Sequence, residues 1–252
     1  MRINFFEEYP DQNTLGRAQL IRWPATIFLA AESYTKYLDR VHQLQRINPD
    51  VTTGWWPILP VSTWISPFSK KKELNTLQKE MEKMPPGSMV LLDLELPLIR
   101  PTRFLAGLNG FFRKRRMIRN LFLQAQRQKI KIYTAEYPPI LGRIGIQVFR
   151  HLGISYADNF PHTRIPMMYT SMLSSRSLIQ HLRKHLQRRY YKTAGLGVTA
   201  SGIMTRRAIT KEELHDDLTF CVNHAFQEVF IYRLGGLTED SVAQLERFAR
   251  NQ

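Results

Sequence analysis

The chain has 252 residues, 43% of them apolar, which suits one large α/β domain with a buried core. Its one cysteine, Cys221, excludes a disulfide framework and fits a reducing compartment. Lys and Arg number 36 against 21 Asp and Glu, and the resulting net charge of +15 favours a partner rich in phosphate or another anionic group.

Eight short segments rich in Ile, Val, Phe and Tyr predict β-strands. In chain order they are 2–9, 25–32, 51–59, 88–96, 130–137, 164–172, 196–204 and 228–234. The segments between them predict helices, most clearly at 102–128, 176–190, 210–226 and 238–250. This alternation predicts a (β/α)8 TIM-type barrel that takes up residues 1–252 as a single domain. An open doubly wound sheet is the alternative, but the glycine-rich phosphate loop typical of that fold does not follow the first strand.

Carboxylates stand at the predicted carboxyl ends of several strands, the end at which barrel enzymes carry their active sites. They are Glu7, Glu8, Glu32, Asp93, Glu95 and Glu136. Asp93 and Glu95 share a face of their strand, with Cα atoms roughly 6–7 Å apart, because side chains alternate along a strand. Two close carboxylates push each other's pKa values apart, so one can stay protonated as a general acid while the other ionises. Cleavage of a glycosidic bond needs such a pair, and the candidate catalytic residues are Asp93, Glu95 and Glu136.

Aromatic side chains near the same strand ends predict a surface on which sugar rings can stack. Trp55 and Trp56 end the third predicted strand, and we expect only one of them to be buried, because neighbours on a strand face opposite ways. The candidate substrate-binding residues are Glu8, Glu32, Trp55, Trp56, Tyr137, Tyr169, Tyr232 and Arg233.

Three short stretches at the predicted strand ends also carry motifs. Asp93-Leu94-Glu95 matches the last part of an Asp-x-Asp-x-Glu motif, with Leu91 in place of its first Asp. The stretch "PMMYTSM" at 166–172 contains a Met-x-Tyr motif, and "VFIYRL" at 229–234 is an aromatic-bearing last strand. In these stretches the chain resembles the chitinase-like TIM-barrel glycoside hydrolases.

The resemblance implies roles for three residues. Glu95 would be the general acid, Asp93 would orient the acyl group of the substrate, and Tyr169 would contact the substrate. Together with the strand-end carboxylates, this favours a hydrolase acting on a carbohydrate or another polyhydroxylated small molecule, and we expect no cofactor.

Two other functions fit the same sequence pattern. A metal-dependent sugar isomerase or lyase would use Glu8, Glu32, Asp93 and Glu136 as ligands for a hard cation. Zinc is disfavoured because none of the seven histidines stands at a predicted strand end, and we expect no metal site. The remaining alternative is a barrel without catalytic activity that binds polyanions through its basic surface.

Two basic runs, 113–119 and 176–192, predict weak contact with a polyanion such as nucleic acid or anionic lipid. In the second run Leu178, Leu182 and Leu186 recur every four residues and predict the buried face of a helix. The basic residues of that helix would then face solvent; they are Arg183, Lys184, Arg188 and Arg189.

The sequence carries no apolar run long enough to span a membrane. No secretory signal is recognisable after Met1, so we expect a cytoplasmic protein. The pattern does not indicate an oligomeric state.

Overall fold

The chain folds as a closed barrel of eight parallel strands in sequence order, which confirms the predicted (β/α)8 TIM-type barrel. The computed structural model describes residues 1–62, 64–96, 108–138, 142–156, 160–173, 175–188, 191–197, 199 and 207–250. The strands are β1 Arg2–Glu7, β2 Thr26–Ala31, β3 Thr52–Pro57, β4 Met89–Asp93, β5 Lys131–Glu136, β6 Thr163–Met168, β7 Thr193–Leu196 and β8 Glu228–Tyr232. Pairing of β1 with β8 closes the barrel.

Each strand is followed by a helix. The helices are α1 Gln12–Gly16, α2 Tyr34–Ile47, α3 Lys71–Glu82, α4 Phe111–Arg127, α5 Gly142–His151, α6 Arg176–Arg188, α7 Lys211–Asn223 and α8 Glu239–Arg250. Helix α7 begins with a capping box, in which Glu213 N donates to the Thr210 hydroxyl at 3.2 Å and Thr210 N donates to the Glu213 carboxylate at 2.9 Å. Within the described residues, no helix is both long and apolar enough to cross a membrane.

Strand β7 lies earlier in the chain than we predicted. Instead of 196–204 it spans Thr193–Leu196, with Thr193 opposite Glu228 and Leu196 opposite Ile231 of β8. The apolar residues after 196 are typical of a strand, but a barrel strand must pair along both edges, and this pairing sets the register. Residues 198 and 200–206 lie outside the described part of the chain.

Alternate strand residues fill the barrel interior with a packed cluster, which we call the inner cluster. Its buried members are Phe6, Phe28, Ala30, Trp56, Leu91, Ala135, Ile165, Met167 and Phe230. The rings of Phe6 and Phe230 stack with centroids 5.4 Å apart. Gly54 leaves room for the Phe28 ring, because a Cβ at Gly54 would lie 2.3 Å from it. The interior is therefore a packed core, and the strand ends are left to carry a site.

Trp55 and Trp56 are both buried, so the expectation that only one would be buried was wrong. Trp55 is fully buried on the outer face, where its indole N–H donates to the Ala31 carbonyl at 3.0 Å and its ring lies 5.8 Å from that of Tyr34. Trp56 belongs to the inner cluster. The expectation assumed a sheet with one solvated face, whereas helices cover the outer face of a parallel barrel.

Candidate functional site

Three carboxylates lie close together at the carboxyl ends of β1 and β4. Asp93, the last residue of β4, stands two positions after Leu91 of the inner cluster, and Glu95 stands two positions further on. Glu8 stands two positions after Phe6 on β1. The three groups are close enough to interact electrostatically: the charge of Glu8 raises the pKa of both Asp93 and Glu95. We call Glu8, Asp93 and Glu95 the carboxylate cluster.

Burial and mutual repulsion favour the protonated form of two members of this cluster. Asp93 is 6% exposed, and its pKa is raised well above the usual value by burial first and then by the charges of Glu95 and Glu8. Burial, followed by the charge of Glu8, raises the pKa of Glu95 to about 7. Near neutral pH Glu95 is therefore divided between acid and carboxylate, which suits proton transfer in either direction.

Aromatic side chains from three strands surround the carboxylate cluster. The Tyr232 hydroxyl donates a hydrogen bond to Glu8, and the Tyr232 ring lies 5.8 Å from Tyr169 and 6.5 Å from Trp56. Burial, and then the charges of Asp93, Glu95 and Glu8, raise the pKa of Tyr169, which places this hydroxyl among all three carboxylates. Tyr169 and Tyr232 are partly exposed, so both can meet a ligand.

Two buried polar atoms at the cluster lack hydrogen-bond partners among the described residues. They are Oδ1 of Asp93 and Nε1 of Trp56. The Trp56 indole lies close enough to lower the pKa of Asp93, yet the pair does not reach standard hydrogen-bond geometry. Unsatisfied buried polar groups cost free energy. At the mouth of a barrel, where ligands bind, a ligand can supply the missing hydrogen bonds.

Arg233, predicted to bind substrate, is paired with Glu7 and not with a member of the carboxylate cluster. Its guanidinium pairs with Glu7 at 3.1 Å and lies 5.0 Å from the centre of the Tyr9 ring. The Glu7 carboxylate also accepts hydrogen bonds from Tyr9 N at 2.8 Å and Gly235 N at 2.6 Å. These bonds tie the ends of β1 and β8 together, so Glu7 and Arg233 position the neighbouring residues, Glu8 and Tyr232, that face the site.

Thr199 is a positioning residue that the sequence analysis missed. Its N–H donates to the Tyr232 carbonyl at 2.9 Å, and its hydroxyl donates to the Arg233 carbonyl at 2.6 Å. We predicted this residue within the seventh strand, and no motif around it indicated a contact with the end of the eighth. The contact follows from the shorter β7 that the barrel adopts.

Glu136, predicted to be catalytic, lies on the outer face of β5, apart from the carboxylate cluster. It pairs with Arg164 at 2.7 Å and accepts a hydrogen bond from the Thr134 hydroxyl at 2.9 Å. Burial raises the pKa of Glu136, but the His162 ring, 3.8 Å away, and the Arg164 guanidinium outweigh this and lower it. A nearby cation keeps the Glu136 carboxylate ionised, which suits a structural ion pair. Glu136 faces outward because it follows Ala135, which faces inward as part of the inner cluster, and side chains alternate along a strand.

The remaining predicted residues lie at the rim or nearby. Glu32 is exposed, and its carboxylate pairs with Lys36 at 2.5 Å. Glu32 and Trp55 both border a cavity of about 380 Å³ beside α3 rather than the carboxylate cluster. The Tyr137 ring packs 5.6 Å from Phe149, and its pKa is raised by burial first and then by the charge of Glu95. Tyr137 is thus the only one of these three that adjoins the cluster.

The four carboxylates of the metal-dependent alternative do not converge. Glu8 and Asp93 lie in the carboxylate cluster, whereas Glu32 is paired with Lys36 and Glu136 with Arg164. Across the part of the chain that the structure describes, no three His, Cys, Asp or Glu side chains form a group that could hold a metal ion. The separation of these four carboxylates does not favour their binding one metal ion together.

The first basic run presents several of its arginines to solvent on α4. Arg113, Arg116 and Arg119 are exposed, whereas Lys114 is buried and Arg115 donates to the Arg150 carbonyl at 3.0 Å. The run therefore forms an exposed basic strip, which we call the α4 strip, defined by Arg113, Arg116 and Arg119.

The second basic run is less open than predicted. Arg183 pairs with buried Asp217 at 2.8 Å, because α6 packs beside α7, while Lys184 is exposed. Leu182 and Leu186 are buried as expected, but Leu178 is 44% exposed, so the apolar stripe covers less of the helix than its spacing indicated. Arg189 lies outside the described residues.

No protein-family model matches this sequence, and no curated protein matches it. Among solved structures, the chain is similar to the PgaB (BpsB) glycoside hydrolase domain from Bordetella bronchiseptica, with a TM-score of 0.59, 11% identity, and 96% of this chain and 97% of that chain covered. A GH18 chitinase from Pseudoalteromonas aurantia gives a TM-score of 0.60 at 9% identity and covers 98% of this chain and 100% of its own.

A xylose isomerase domain protein from Planctomyces limnophilus is similar to nearly the same degree. Its TM-score is 0.55 at 10% identity, with 98% of this chain and 94% of that chain covered. At such identities the likeness establishes the fold alone. The chain is a TIM barrel that resembles chitinase-like glycoside hydrolases in architecture and sugar isomerase barrels nearly as well.

Proposed function

We propose that the protein is a carbohydrate-active hydrolase that cleaves a glycosidic bond at the carboxylate cluster. One observation carries the proposal. Asp93 and Glu95 are close together at the barrel mouth, where burial and the charge of Glu8 raise the pKa of Glu95 to about 7. Tyr169 and Tyr232 supply partly exposed rings beside them, as a sugar-binding surface requires. The similar barrels named as glycoside hydrolases and chitinases agree with this assignment but do not distinguish it from sugar isomerisation.

The proposed reaction assigns one proton transfer to Glu95. Its carboxylic acid donates a proton to the glycosidic oxygen while the bond from that oxygen to the anomeric carbon breaks, and the oxygen of water bonds to the anomeric carbon. That water releases one proton to the solvent, and Glu95 takes up a proton from the solvent before the next turnover. The charge of Glu8 helps to keep Glu95 protonated until that step. In this proposal Asp93, whose Oδ1 is unsatisfied beside Trp56, orients the substrate, and Tyr169 contacts it.

Product analysis in water labelled with heavy oxygen tests the reaction class. A panel of oligosaccharides, including chitin fragments, would be incubated with the protein and the products weighed by mass spectrometry. Hydrolysis places one labelled oxygen at each new reducing end. A lyase instead yields a product that lacks the elements of water, and an isomerase changes no mass, so either result with the same substrates would refute the proposal.

The pH dependence of turnover provides a second test. Because a general acid must be protonated, kcat/KM should fall as the pH rises above about 7, the pKa of Glu95, by about tenfold for each further pH unit. Initial rates on the best substrate of the panel, measured from about pH 5 to 9, give this profile. A rate that stays level or rises through that range would show that no protonated group with the pKa of Glu95 is needed.

A second function, contact with a polyanion, is favoured by the α4 strip. Phosphate contacts release counterions, so the affinity for duplex DNA should fall steeply with salt. The double variant Arg113→Gln/Arg116→Gln should reduce the slope of log K against log salt by about two, measured by fluorescence anisotropy. Lys71→Gln/Lys79→Gln on exposed positions of α3 removes the same charge elsewhere and should leave the slope unchanged. If wild type and both double variants gave the same slope of log K against log salt, the α4 strip would not be the DNA-binding surface.

A further inference from the structure

The carboxylate cluster differs from three buried acids, Glu7, Glu136 and Asp217, in having no cationic partner among the described residues. Glu7, Glu136 and Asp217 each pair with an arginine, at 3.1, 2.7 and 2.8 Å, respectively. Within the described residues, no Lys, Arg or His forms an ion pair with Glu8, Asp93 or Glu95. Although the protein has a net charge of +15, these three carboxylates are thus not paired with a basic side chain of the described residues.

A second observation points to a ligand at the same place. Asp93 is 6% exposed, and its Oδ1 has no hydrogen-bond partner among the described residues. A buried polar oxygen without a hydrogen-bond partner costs free energy, so such an arrangement is retained where another molecule supplies the missing donor. Asp93 continues the alternation of Leu91 on the inner face of β4, and the charge of the neighbouring Glu95 acts on it, so the unsatisfied oxygen belongs to the carboxylate cluster.

We propose, on the basis of the hydrolase function proposed above, that the carboxylate cluster selects saccharides carrying a free, protonated amino group, with Glu8 as the specificity-determining residue. Glu8 is partly exposed and its carboxylate accepts a hydrogen bond from Tyr232, a neutral donor that orients the charge without cancelling it. Tyr232 and Tyr169, with ring centroids 5.8 Å apart, provide aromatic surface near that carboxylate. An ammonium group gains both from the carboxylate and from an aromatic face.

An organic ammonium group fits the cluster better than a metal ion does. The described residues contain no group of three His, Cys, Asp or Glu side chains arranged to hold a metal. A sugar amine needs only one carboxylate at hydrogen-bond distance, leaving Glu95 available for the proton transfer. Free-amine sugars also place their charge next to hydroxyl groups that Asp93 and the Trp56 indole can bind.

Matched tetrasaccharides test the preference by binding rather than by turnover. Isothermal titration would compare a glucosamine tetramer with an N-acetylglucosamine tetramer, with each sample checked for cleavage by mass spectrometry. We expect the cationic tetramer to bind the wild-type protein about tenfold tighter or more, and this advantage to shrink as salt is added, because one paired charge is involved. Equal affinity for the two tetramers would overturn the inference.

Variants of Glu8 connect that preference to one side chain. Glu8→Gln can still accept the Tyr232 hydrogen bond but lacks the charge, so the advantage should fall to about twofold or less, whereas Glu8→Asp should retain most of it. The control Glu82→Gln, on an exposed position of α3, should behave as wild type. An advantage that survives in Glu8→Gln, or that is lost equally in Glu8→Asp, would contradict the assignment.

The two proposals fail in different ways. If the N-acetylglucosamine tetramer is bound or hydrolysed as well as the glucosamine tetramer, the amine selectivity is refuted while the hydrolase function is not. If no saccharide of the panel is hydrolysed, the hydrolase function falls, and the binding comparison still decides whether the cluster recognises an ammonium group.

Discussion

Glu95→Gln is expected to lower kcat by about 10²–10⁴-fold, the usual effect of removing a general acid. Gln is nearly isosteric with Glu but has no proton to give near neutral pH. The melting temperature should hardly change and could rise, because the substitution removes a charge that Glu8 and Asp93 repel. Turnover of the best saccharide and thermal unfolding, measured on the same preparation, check both halves of the expectation.

The exposed Glu82→Gln variant serves as the control, because it makes the same chemical change away from the mouth. It should match wild type in both rate and melting temperature. A Glu95→Gln protein that melts much earlier yet turns over normally would show that Glu95 supports the fold and performs no acid catalysis.

Glu136→Gln should have the opposite effect, with an expected loss of about 3–5 kcal/mol in the free energy of unfolding, as when one partner of a buried ion pair is removed. Arg164 would then keep its charge in a largely buried position, with 15% of its side chain exposed. Because Glu136 has a lowered pKa, the pair stabilises the folded protein above the ordinary pKa of the carboxyl. That stability is lost as the pH falls through the lowered value.

Chemical denaturation provides the free energy, and Glu228→Gln provides the control. Glu228 pairs with Arg2, whose side chain is 64% exposed, so this variant should lose only about 1 kcal/mol or less. Under folding conditions Glu136→Gln should retain kcat within about twofold of wild type, since no transition-state contact is removed. Normal stability with a collapsed kcat would place Glu136 in the reaction after all.

The sequence by itself determined the fold and one essential relation within the site. Eight apolar, β-rich segments alternating with amphipathic ones leave few ways to bury both faces of the strands, and the closed barrel is one of them. The spacing of Asp93 and Glu95 predicted that they would lie close together, because side-chain alternation is a local property of extended backbone. Strand β4 ends at Asp93, but the charge of Glu95 still raises the pKa of Asp93.

Only the tertiary structure decided which faces point inward. Glu8 and Glu136 both follow an apolar strand and both precede Tyr-Pro, yet Glu8 joins the cluster at the mouth while Glu136 is held by Arg164 outside the barrel. The inward or outward direction of the strand faces also explains why Trp55 packs beneath α2 and why Arg233 pairs with Glu7. The direction of a strand's faces depends on its register with two neighbours that are distant in sequence. No local pattern contains that information, and the closure of the barrel supplies it.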